Sequence, residues 1–388
     1  MAELHLTAKD ILPSDGPGLL VGRVWSNERG GPCPVVVDGT IVRDLSSVAP
    51  TMSELLEMAS DAIGDVSRLP SLGDLDAFLD KGGDRGSAGR LLAPCDLQAV
   101  KAAGVTFAGS MLERVIEERA KGAPERAAAI RADLAPIVGE SLRGVQPGSE
   151  KAAKVKALLQ EKGLWSQYLE VGIGPDAEVF TKAQPMSSVG CGARVGVHAM
   201  SSWNNPEPEV VLAVNSRGEI RGATLGNDVN LRDVEGRSAL LLGKAKDNNG
   251  ACAVGPFIRL FDDRFTLKDV EAAAVSLSVR GEDGFELAGE SLMSAISRPP
   301  ADIVGQTIGK SHQYPDGFVL FLGTMFAPVK DRKAPGQGFT HEIGDLVAIS
   351  TPKLGTLVNV VDRCDAIEPW TFGTRALMRN LAERRLLG

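Results

Sequence analysis

The feature that most constrains the fold is a change of pattern at Gly172. Before it, residues 108–169 are rich in Ala, Leu, Glu, Lys and Arg, with apolar residues at a period near 3.6, which is typical of helices. After it, short β-rich runs such as EVVLAV, AVSLSVRG and GFVLFLG are separated by Gly, Pro and Asn. Strands and helices do not alternate regularly, so the pattern disfavours a doubly wound sheet or a β/α barrel and favours an α+β fold.

The first part of the chain predicts a small α/β domain. VVVDGTIVRDL carries Asp-Gly between apolar runs, which indicates a hairpin. TMSELLEMASDAIGDVSRL has helical spacing and begins with a Thr-x-x-Glu capping box. The Gly-rich stretch FLDKGGDRGSAGRLLAP follows and indicates a boundary. We therefore expect an N-terminal domain over residues 1–95 and a main domain over residues 96–388.

Composition excludes several classes of function. A net charge of −8 and an aromatic content of 5% argue against a nucleic-acid binder. The five cysteines form no CxxC pair and the four histidines form no HExxH, which disfavours a disulfide scaffold and a zinc site. No apolar stretch reaches the roughly 18 residues of a membrane span, and the first residues show no export signal. These observations predict a soluble, cytoplasmic protein without a nucleic-acid or membrane partner.

The most informative segment is NNPEPEVVLAVNSRGEIRGATLGNDVNLRD, residues 204–233. Alternate side chains of a strand share a face, so Glu207 and Glu209 point the same way. If NSRG forms a tight turn, the returning strand places Gly226 opposite Glu207. Asp228 is then a diagonal neighbour on the same face, about 7–8 Å away. The segment therefore predicts three converging carboxylates.

Three converging carboxylates repel one another and need protons or a cation. A set of ligands made only of oxygens selects a hard ion, namely magnesium, manganese or calcium. It also leaves coordination positions open for water and substrate, which suits Lewis-acid catalysis. On spacing alone, a solvated charged strand face is the commoner reason for an E-x-E pair.

Several motifs, in this order, resemble the fumarylacetoacetate hydrolase family over roughly residues 100–360. The matching segments are Phe180-Thr-Lys182 for F-x-K, Glu207-Pro-Glu209 for E-x-E, Asn227-Asp228-Val-Asn-Leu-Arg232-Asp233 for N-D-x-x-x-R-D, Lys246 ahead of Gly255-Pro256, and Ser350-Thr351-Pro352 for G-T-P. The resemblance implies a mixed β-sandwich roll for the main domain, assembled as a homodimer or homotetramer. It also assigns Glu207, Glu209 and Asp228 to a magnesium ion, with manganese as the alternative.

The resemblance implies roles for the polar residues around the metal. Lys246 matches a lysine that stabilises an enolate, with Lys244 as the runner-up. The residues expected to bind substrate are Lys182, Ser187, Ser188, Asp247 and Thr351. Each type also has a simpler interpretation: serines close ST-turns, a threonine before proline belongs to a turn, and a strand lysine is often a solvated edge residue.

The chain departs from the hydrolases of that family near the start of the main domain. Those enzymes carry N-Y-x-x-H-x-x-E, whose His and Glu activate water, whereas residues 105–118 contain no histidine. Glu113 and Glu117 stand at i and i+4 on one helical face. One carboxyl held protonated beside the other would supply an acid and a base. The alternative is a charged, solvated helix face.

Loss of the histidine with retention of the carboxylates and lysines suits elimination rather than hydrolysis. The pattern resembles the branch of the family that dehydrates 2-keto-3-deoxy sugar acids. This implies conversion of 2-keto-3-deoxy-D-xylonate to 2,5-dioxopentanoate in non-phosphorylated pentose catabolism. The alternatives are a C–C bond hydrolase or decarboxylase acting on an acylpyruvate or oxaloacetate, and a catalytically silent metal-binding protein.

Overall fold

The computed structural model describes residues 4–16, 18–79, 87–142 and 144–387. Residues 80–86 of the Gly-rich stretch expected to end the first domain lie outside these ranges. Strands and helices are both abundant, and the predicted α+β class is confirmed.

The strands, in chain order, are β1 (Leu20–Ser26), β2 (Gly31–Asp38), β3 (Ile41–Asp44), β4 (Ser71–Asp74), β5 (Gly89–Leu92), β6 (Ala99–Ala103), β7 (Val179–Ala183), β8 (Arg194–Val197), β9 (Asn204–Asn205), β10 (Pro208–Val214), β11 (Ile220–Asp228), β12 (Asn230–Leu231), β13 (Cys252–Leu260), β14 (Ala274–Arg280), β15 (Glu286–Leu292), β16 (Phe318–Phe321), β17 (Leu346–Thr351) and β18 (Gly355–Arg363). The α-helices are α1 (Ala8–Ile11), α2 (Met52–Glu57), α3 (Ala108–Ala120), α4 (Pro124–Leu134), α5 (Glu140–Leu142), α6 (Glu150–Glu161), α7 (Gln167–Ile173), α8 (Arg232–Glu235), α9 (Leu242–Lys246), α10 (Leu267–Glu271), α11 (Pro300–Thr307) and α12 (Thr374–Glu383). None of the described helices is both long and apolar enough to cross a membrane.

The larger sheet has the strand order β4-β3-β2-β1-β13-β11-β10-β16-β6-β7, and β5 pairs with β1. The expected hairpin at Asp-Gly joins β2 to β3, and the expected helix α2 begins after Thr51, whose side chain accepts a hydrogen bond from the Glu54 N–H. Strands from the first 95 residues belong to this sheet, because β1 pairs with β13 through Leu20 and Arg259. A separate domain over residues 1–95 stays a prediction.

The smaller sheet, ordered β15-β14-β17-β18-β8, shares an apolar core with the larger one. Side chains from both sheets enter this core, among them Leu212 and Leu225 from the larger and Leu277 and Leu357 from the smaller. The period of two along β10 and β11 sends alternate residues into this core. The residues between them, including the predicted carboxylates, therefore face the opposite side of the sheet.

Helices α3 to α7 occupy the region where the sequence predicts helical periodicity. They enclose their own apolar cluster, which includes Val115, Ile116, Leu159 and Leu169. Trp203, from the loop before β9, also enters this cluster and connects it with the acidic segment. Helix α3 is thereby held beside the strands that carry the carboxylates.

The pairing of β10 with β11 differs from the predicted register. Glu209, rather than Glu207, faces Gly226. The difference arises because the turn closes with the Asn215 N–H donating to the Glu219 carbonyl (3.1 Å) and because a bulge at Arg221 follows in β11. A shift of two residues keeps every side chain on its face. Asp228 consequently lies directly opposite Glu207, and its N–H donates to the Glu207 carbonyl (3.1 Å).

Candidate metal centre

The three predicted carboxylates come together at the ends of β10 and β11. Glu207, Glu209 and Asp228 each offer one carboxylate oxygen, and these oxygens lie within 4.8 Å of one another. All three side chains are buried, so water does little to screen their mutual repulsion. We call these residues the triad.

Two lysines approach the triad. The Lys246 Nζ lies 2.5 Å from Glu207 Oε2 and 3.1 Å from Asp228 Oδ2, and the Lys182 Nζ lies 2.9 Å from Asp228 Oδ1. Burial acts to lower the pKa of Lys246, but the charges of Asp228 and Glu207 outweigh it and raise that pKa above its ordinary value. Both ammonium groups therefore counter the charge of the triad.

Glu207 and Glu209 differ in their partners. Burial would raise the pKa of Glu207, but the charges of Lys246 and Arg114 lower it to about 2. Glu209 makes no ion pair among the described residues and accepts only from the Gly323 N–H (2.7 Å) and the Thr324 hydroxyl (3.4 Å). Burial, together with the charges of Asp228 and Glu207, raises the pKa of Glu209 well above its ordinary value. Glu209 is thus the member of the triad that needs a proton or a cation.

The cavity beside the triad has a volume of about 20 Å³, which suits one ion or water molecule. Two glutamates that the sequence analysis did not single out, Glu178 and Glu235, line it together with Lys246 and Thr324. The Glu178 carboxylate packs against Gly104 so closely that a Cβ there would lie 1.9 Å from Oε2. Burial raises the pKa of Glu178 above its ordinary value and that of Glu235 to about 7. Glu235 is therefore suited to exchange a proton near neutral pH.

Helix α3 places Glu113 and Glu117 in ion pairs. Glu113 accepts from Arg131 (2.8 Å to each oxygen) and from Arg232 (2.9 Å), while Glu117 accepts from Arg114 and Arg232, each at 2.6 Å. Burial would raise the pKa of Glu113, but Arg131 and Arg232 hold it below its ordinary value. Neither glutamate is among the described residues that line the cavity. An acid–base role for this pair stays a prediction, and its surroundings favour a structural role.

Arg114 connects this helix to the triad. Its Nη2 donates to Glu207 Oε1 (2.5 Å), and its Nη1 lies 3.0 Å from Glu235 Oε2. Arg232, which follows the triad in sequence, lies over the Trp203 ring at 4.4 Å. Asp233 accepts a hydrogen bond from the Ser201 hydroxyl (2.7 Å), so this residue connects the segment after Asp228 with the loop before β9.

The residues present fit a divalent cation. The carboxylates of the connected network are Glu113, Glu117, Glu178, Glu207, Glu209, Asp228 and Glu235, and its cations are Arg114, Arg131, Lys182, Arg232 and Lys246. Seven carboxylates against five cations leave two uncompensated negative charges, which two protons or one divalent ion would balance. The oxygen-only ligand set is the one that magnesium and other hard ions prefer.

Three residues predicted to bind substrate lie away from the triad cavity. The Ser187 hydroxyl donates to the Gln184 carbonyl (2.8 Å), which is the turn interpretation. The Ser188 hydroxyl lies 3.3 Å from the Cys252 sulfur, and Asp247 accepts from the Gln184 amide (3.2 Å). Ser187, Ser188 and Asp247 line two larger cavities instead. Lys182 is fully buried behind Asp228.

Residues 174–362 match the family described as fumarylacetoacetate (FAA) hydrolase C-terminal. This segment of the chain is therefore a fumarylacetoacetate hydrolase C-terminal domain. It is 31% identical over 186 residues to 2-dehydro-3-deoxy-D-arabinonate dehydratase of Saccharolobus solfataricus, covering 48% of this chain and 59% of that protein. It is 30% identical over 202 residues to the probable 2-keto-3-deoxyxylonate dehydratase of Haloferax volcanii, covering 52% and 66%. The chain thus spans less than two thirds of either curated relative.

Solved structures of the family share this fold. An apo 2-keto-3-deoxy-D-arabinonate dehydratase superposes with a TM-score of 0.60 at 21% identity, and the one complexed with magnesium and 2,5-dioxopentanoate with 0.59 at 22%. A fumarylacetoacetate hydrolase from Exiguobacterium antarcticum gives 0.56 at 18%. In each case 89% of this chain and 99% of the other are covered. The fold expected from the family is confirmed.

The family match directs attention to a threonine. Thr351, predicted from the G-T-P motif, lies in β17 of the smaller sheet opposite Gly355 and is not among the described residues lining the triad cavity. Thr324 lines that cavity and contacts Glu209. Gly323-Thr324-Met325 preserves the Gly-Thr of the motif without its proline. Gly-Thr occurs at four places in the sequence, so the contact with Glu209 is what distinguishes this threonine.

Proposed function

We propose that this chain is a magnesium-dependent hydro-lyase that converts 2-keto-3-deoxy-D-xylonate to 2,5-dioxopentanoate. The observation that carries the proposal is the composition of the triad cavity, where Lys246 and the carboxyls of Glu178 and Glu235 face the metal ligands. No histidine is among the described residues that line it, so the cavity lacks the water-activating group of the family's hydrolases. The names of the two curated relatives support a dehydratase of this substrate class.

Glu207, Glu209 and Asp228 would hold the ion, which supplies Lewis acidity toward the 2-oxo acid when bound. We propose magnesium, the ion in the structurally similar dehydratase complexed with 2,5-dioxopentanoate; no observation favours manganese. Lys246 is positioned to stabilise negative charge that develops on the 2-oxo oxygen when C3 loses its proton. Glu207 and Asp228 hold the Lys246 ammonium in this place.

The proton transfers are assigned to the two glutamates of the cavity. The side chain of Glu178 makes no ion pair or hydrogen bond among the described residues, so its carboxylate is available to take the C3 proton. Glu235, with a pKa of about 7, supplies a proton to the C4 hydroxyl, which leaves as water. A proton shift from C5 to C3 then gives an enol with a C4–C5 double bond, and transfer of the enol hydroxyl proton to C4 yields the aldehyde. Glu113 and Glu117 act indirectly, by holding Arg114 and Arg232 in place.

The test is incubation of the purified protein with 2-keto-3-deoxy-D-xylonate, its C4 epimer, an acylpyruvate and oxaloacetate. We expect 2,5-dioxopentanoate, observed by NMR, to form with magnesium, to stop with EDTA and to form again when magnesium is restored. Cleavage of the acylpyruvate or oxaloacetate without turnover of either deoxy sugar acid would assign the chain to the hydrolases or decarboxylases instead. Inactivity toward all of them would favour a silent metal-binding protein.

The proposal extends to assembly and location. We propose a cytoplasmic homodimer or homotetramer, on the basis of the family resemblance and the scattered cysteines. Sedimentation velocity of the full chain measures the first, and a monomer at micromolar concentration would contradict it. Limited proteolysis near residue 95 tests whether residues 1–95 form a separate domain.

A further inference from the structure

The strand register that places the triad continues beyond it. Glu207 lies opposite Asp228 at the ends of β10 and β11. Two residues further along each chain segment, Asn205 faces Asn230 in the short pair β9 and β12. Pro206, which has no N–H to donate, separates the two pairs without changing the register. Asn205 and Asn230 are therefore the next step of the ladder that carries the metal ligands.

Both asparagines lie on the triad's side of this ladder. Side chains alternate along a strand, and Val229 and Leu231, on either side of Asn230, belong to the apolar core between the two sheets. Asn230 therefore points the opposite way, as Asp228 does, and Asn205 shares its face because it stands directly across. Successive positions on one face are about 6–7 Å apart along a strand. This distance is comparable to the reach of a five-carbon acid whose 2-oxo acid end lies at the ion.

The amide groups of this pair lack partners. Both side chains are fully buried. Asn205 Nδ2 donates to the Pro206 carbonyl (2.8 Å), but Asn205 Oδ1 and both amide atoms of Asn230 have no hydrogen-bond partner among the residues that the structure describes. Such atoms are rare in proteins, because burial removes the hydrogen bonds that water provides. Three unpaired polar atoms on the triad's face therefore indicate a polar group that is not part of the chain.

The triad cavity has to widen before a sugar acid can enter it. Its volume of about 20 Å³ accommodates one ion or water molecule, whereas small-molecule sites usually enclose about 300–1,000 Å³. Asn205 and Asn230 are not among its described lining residues, and they lie one ladder step beyond Glu207. Widening in this direction brings a ligand to amide groups that both donate and accept hydrogen bonds. The pair is therefore suited to a neutral hydroxyl group.

We propose that Asn205 and Asn230 form a subsite, next to the triad, that recognises the C5 hydroxyl of the substrate. This inference rests on the proposed function, in which the 2-oxo acid end of the substrate lies at the ion and the C4 hydroxyl leaves. The C5 hydroxyl is the polar group of a five-carbon deoxy sugar acid to which that mechanism assigns no partner. Asn205 and Asn230 occupy none of the fixed positions in the motifs that resemble the family.

The test measures the binding of two 2-oxo acids by calorimetric titration into the full chain saturated with magnesium. 2-Oxopentanoate and 5-hydroxy-2-oxopentanoate carry no C4 hydroxyl, so neither loses water by the proposed reaction and both report binding alone. The open-chain fraction of the hydroxylated acid, measured by NMR, corrects its affinity. We expect the wild type to bind the hydroxylated acid about tenfold more tightly, because its hydroxyl satisfies amide atoms that are otherwise unpaired.

Substitution of the pair removes this preference. Asn230→Leu replaces the amide by an apolar group of similar shape, and the two acids should then bind equally. Asn205→Leu provides the same test should Asn230→Leu fail to fold. Asn227→Leu is the matched control: Asn227 is fully buried with both amide atoms unpaired among the described residues, but it alternates with Asp228 and faces away from the triad. This control should keep the tenfold preference.

Each preference is a ratio of two affinities measured on one preparation, so partial loss of folded protein does not alter it. Equal binding of the two acids by the wild type, a preference retained by Asn230→Leu, or an equal loss of preference in Asn227→Leu would overturn the subsite alone. Absence of binding by both acids would overturn the proposed substrate class and the subsite with it.

Discussion

Replacement of Glu178 by glutamine tests which residue accepts the proton. The structure favours Glu178, whereas the sequence predicts a glutamate of helix α3. Glu178 has no ion pair among the described residues, and burial penalises its charge. Glu178→Gln therefore breaks no salt bridge and should leave the melting temperature unchanged or slightly raised. Because a positioned general base contributes about 10²–10⁴ in rate, we expect kcat to fall by that factor. Magnesium affinity should stay near that of the wild type, since the triad is intact.

Glu113→Gln is the matched comparison, at one of the two glutamates that the sequence predicts for proton transfer. This change weakens three hydrogen bonds, two from Arg131 and one from Arg232, and leaves the buried Arg232 less well neutralised. Loss of partners for a buried charged group costs about 1–3 kcal/mol, so we expect a lower melting temperature. The effect on kcat should be less than about tenfold, because Glu113 lies away from the triad cavity.

The assay is single-turnover dehydration of 2-keto-3-deoxy-D-xylonate at saturating magnesium, with calorimetric titration of the ion and thermal melts on the same preparations. If Glu178→Gln retains kcat within about twofold of the wild type, Glu178 is not the proton acceptor. If Glu113→Gln shows the larger loss of kcat with an unchanged melting temperature, the acid–base role predicted for α3 is correct and the assignment from cavity geometry is wrong.

Three further predictions follow from particular contacts. Magnesium at about a hundredfold its Kd should stabilise the fold by about 2.7 kcal/mol, and EDTA should remove this gain. The Glu209→Gln variant should not show the gain, although its metal-free form should be as stable as the wild type. A full magnesium-induced shift of the melting temperature in that variant would contradict the role of Glu209 as a metal ligand. Burial lowers the pKa of His341, so the unfolded chain binds its proton more readily. The contribution of His341 to stability should therefore decline as pH falls below about 6.5, and the difference in melting temperature between the wild type and His341→Gln should change between pH 7 and 5 in favour of the variant; a difference independent of pH would contradict this. Gly104→Ala would displace the Glu178 carboxylate and should reduce kcat while magnesium binding is retained. Gly109→Ala is the control and should have no effect, because its Cβ meets nothing within 4 Å. Equal kcat values for the two variants would argue against the role of Glu178.

The sequence by itself determined features that depend on local geometry. The period of two in a strand places Glu207 and Glu209 on one face whatever the rest of the fold does. The predicted register of β10 and β11 is wrong by two residues, but the prediction that Asp228 lies on the same face is correct. A shift of two residues leaves every side chain on its original face of the sheet. The helix that carries Glu113 and Glu117 was likewise expected from periodicity.

Only the tertiary structure decided which distant groups surround those features. Glu178 precedes β7 and Glu235 ends α8, so the two are far apart in the chain. They line one cavity because β7 lies close to the end of β11, where Lys182 pairs with Asp228. The sequence contains four Gly-Thr pairs besides Ser350-Thr351, and the pairing of β16 with β10 places Thr324, not Thr351, at the triad. Glu113 and Glu117 pair with Arg131 and Arg232, partners that helical spacing alone does not reveal. Local periodicity sets the direction of a side chain, whereas its charge partners, and hence its protonation and chemistry, are set by contacts between segments far apart in the chain.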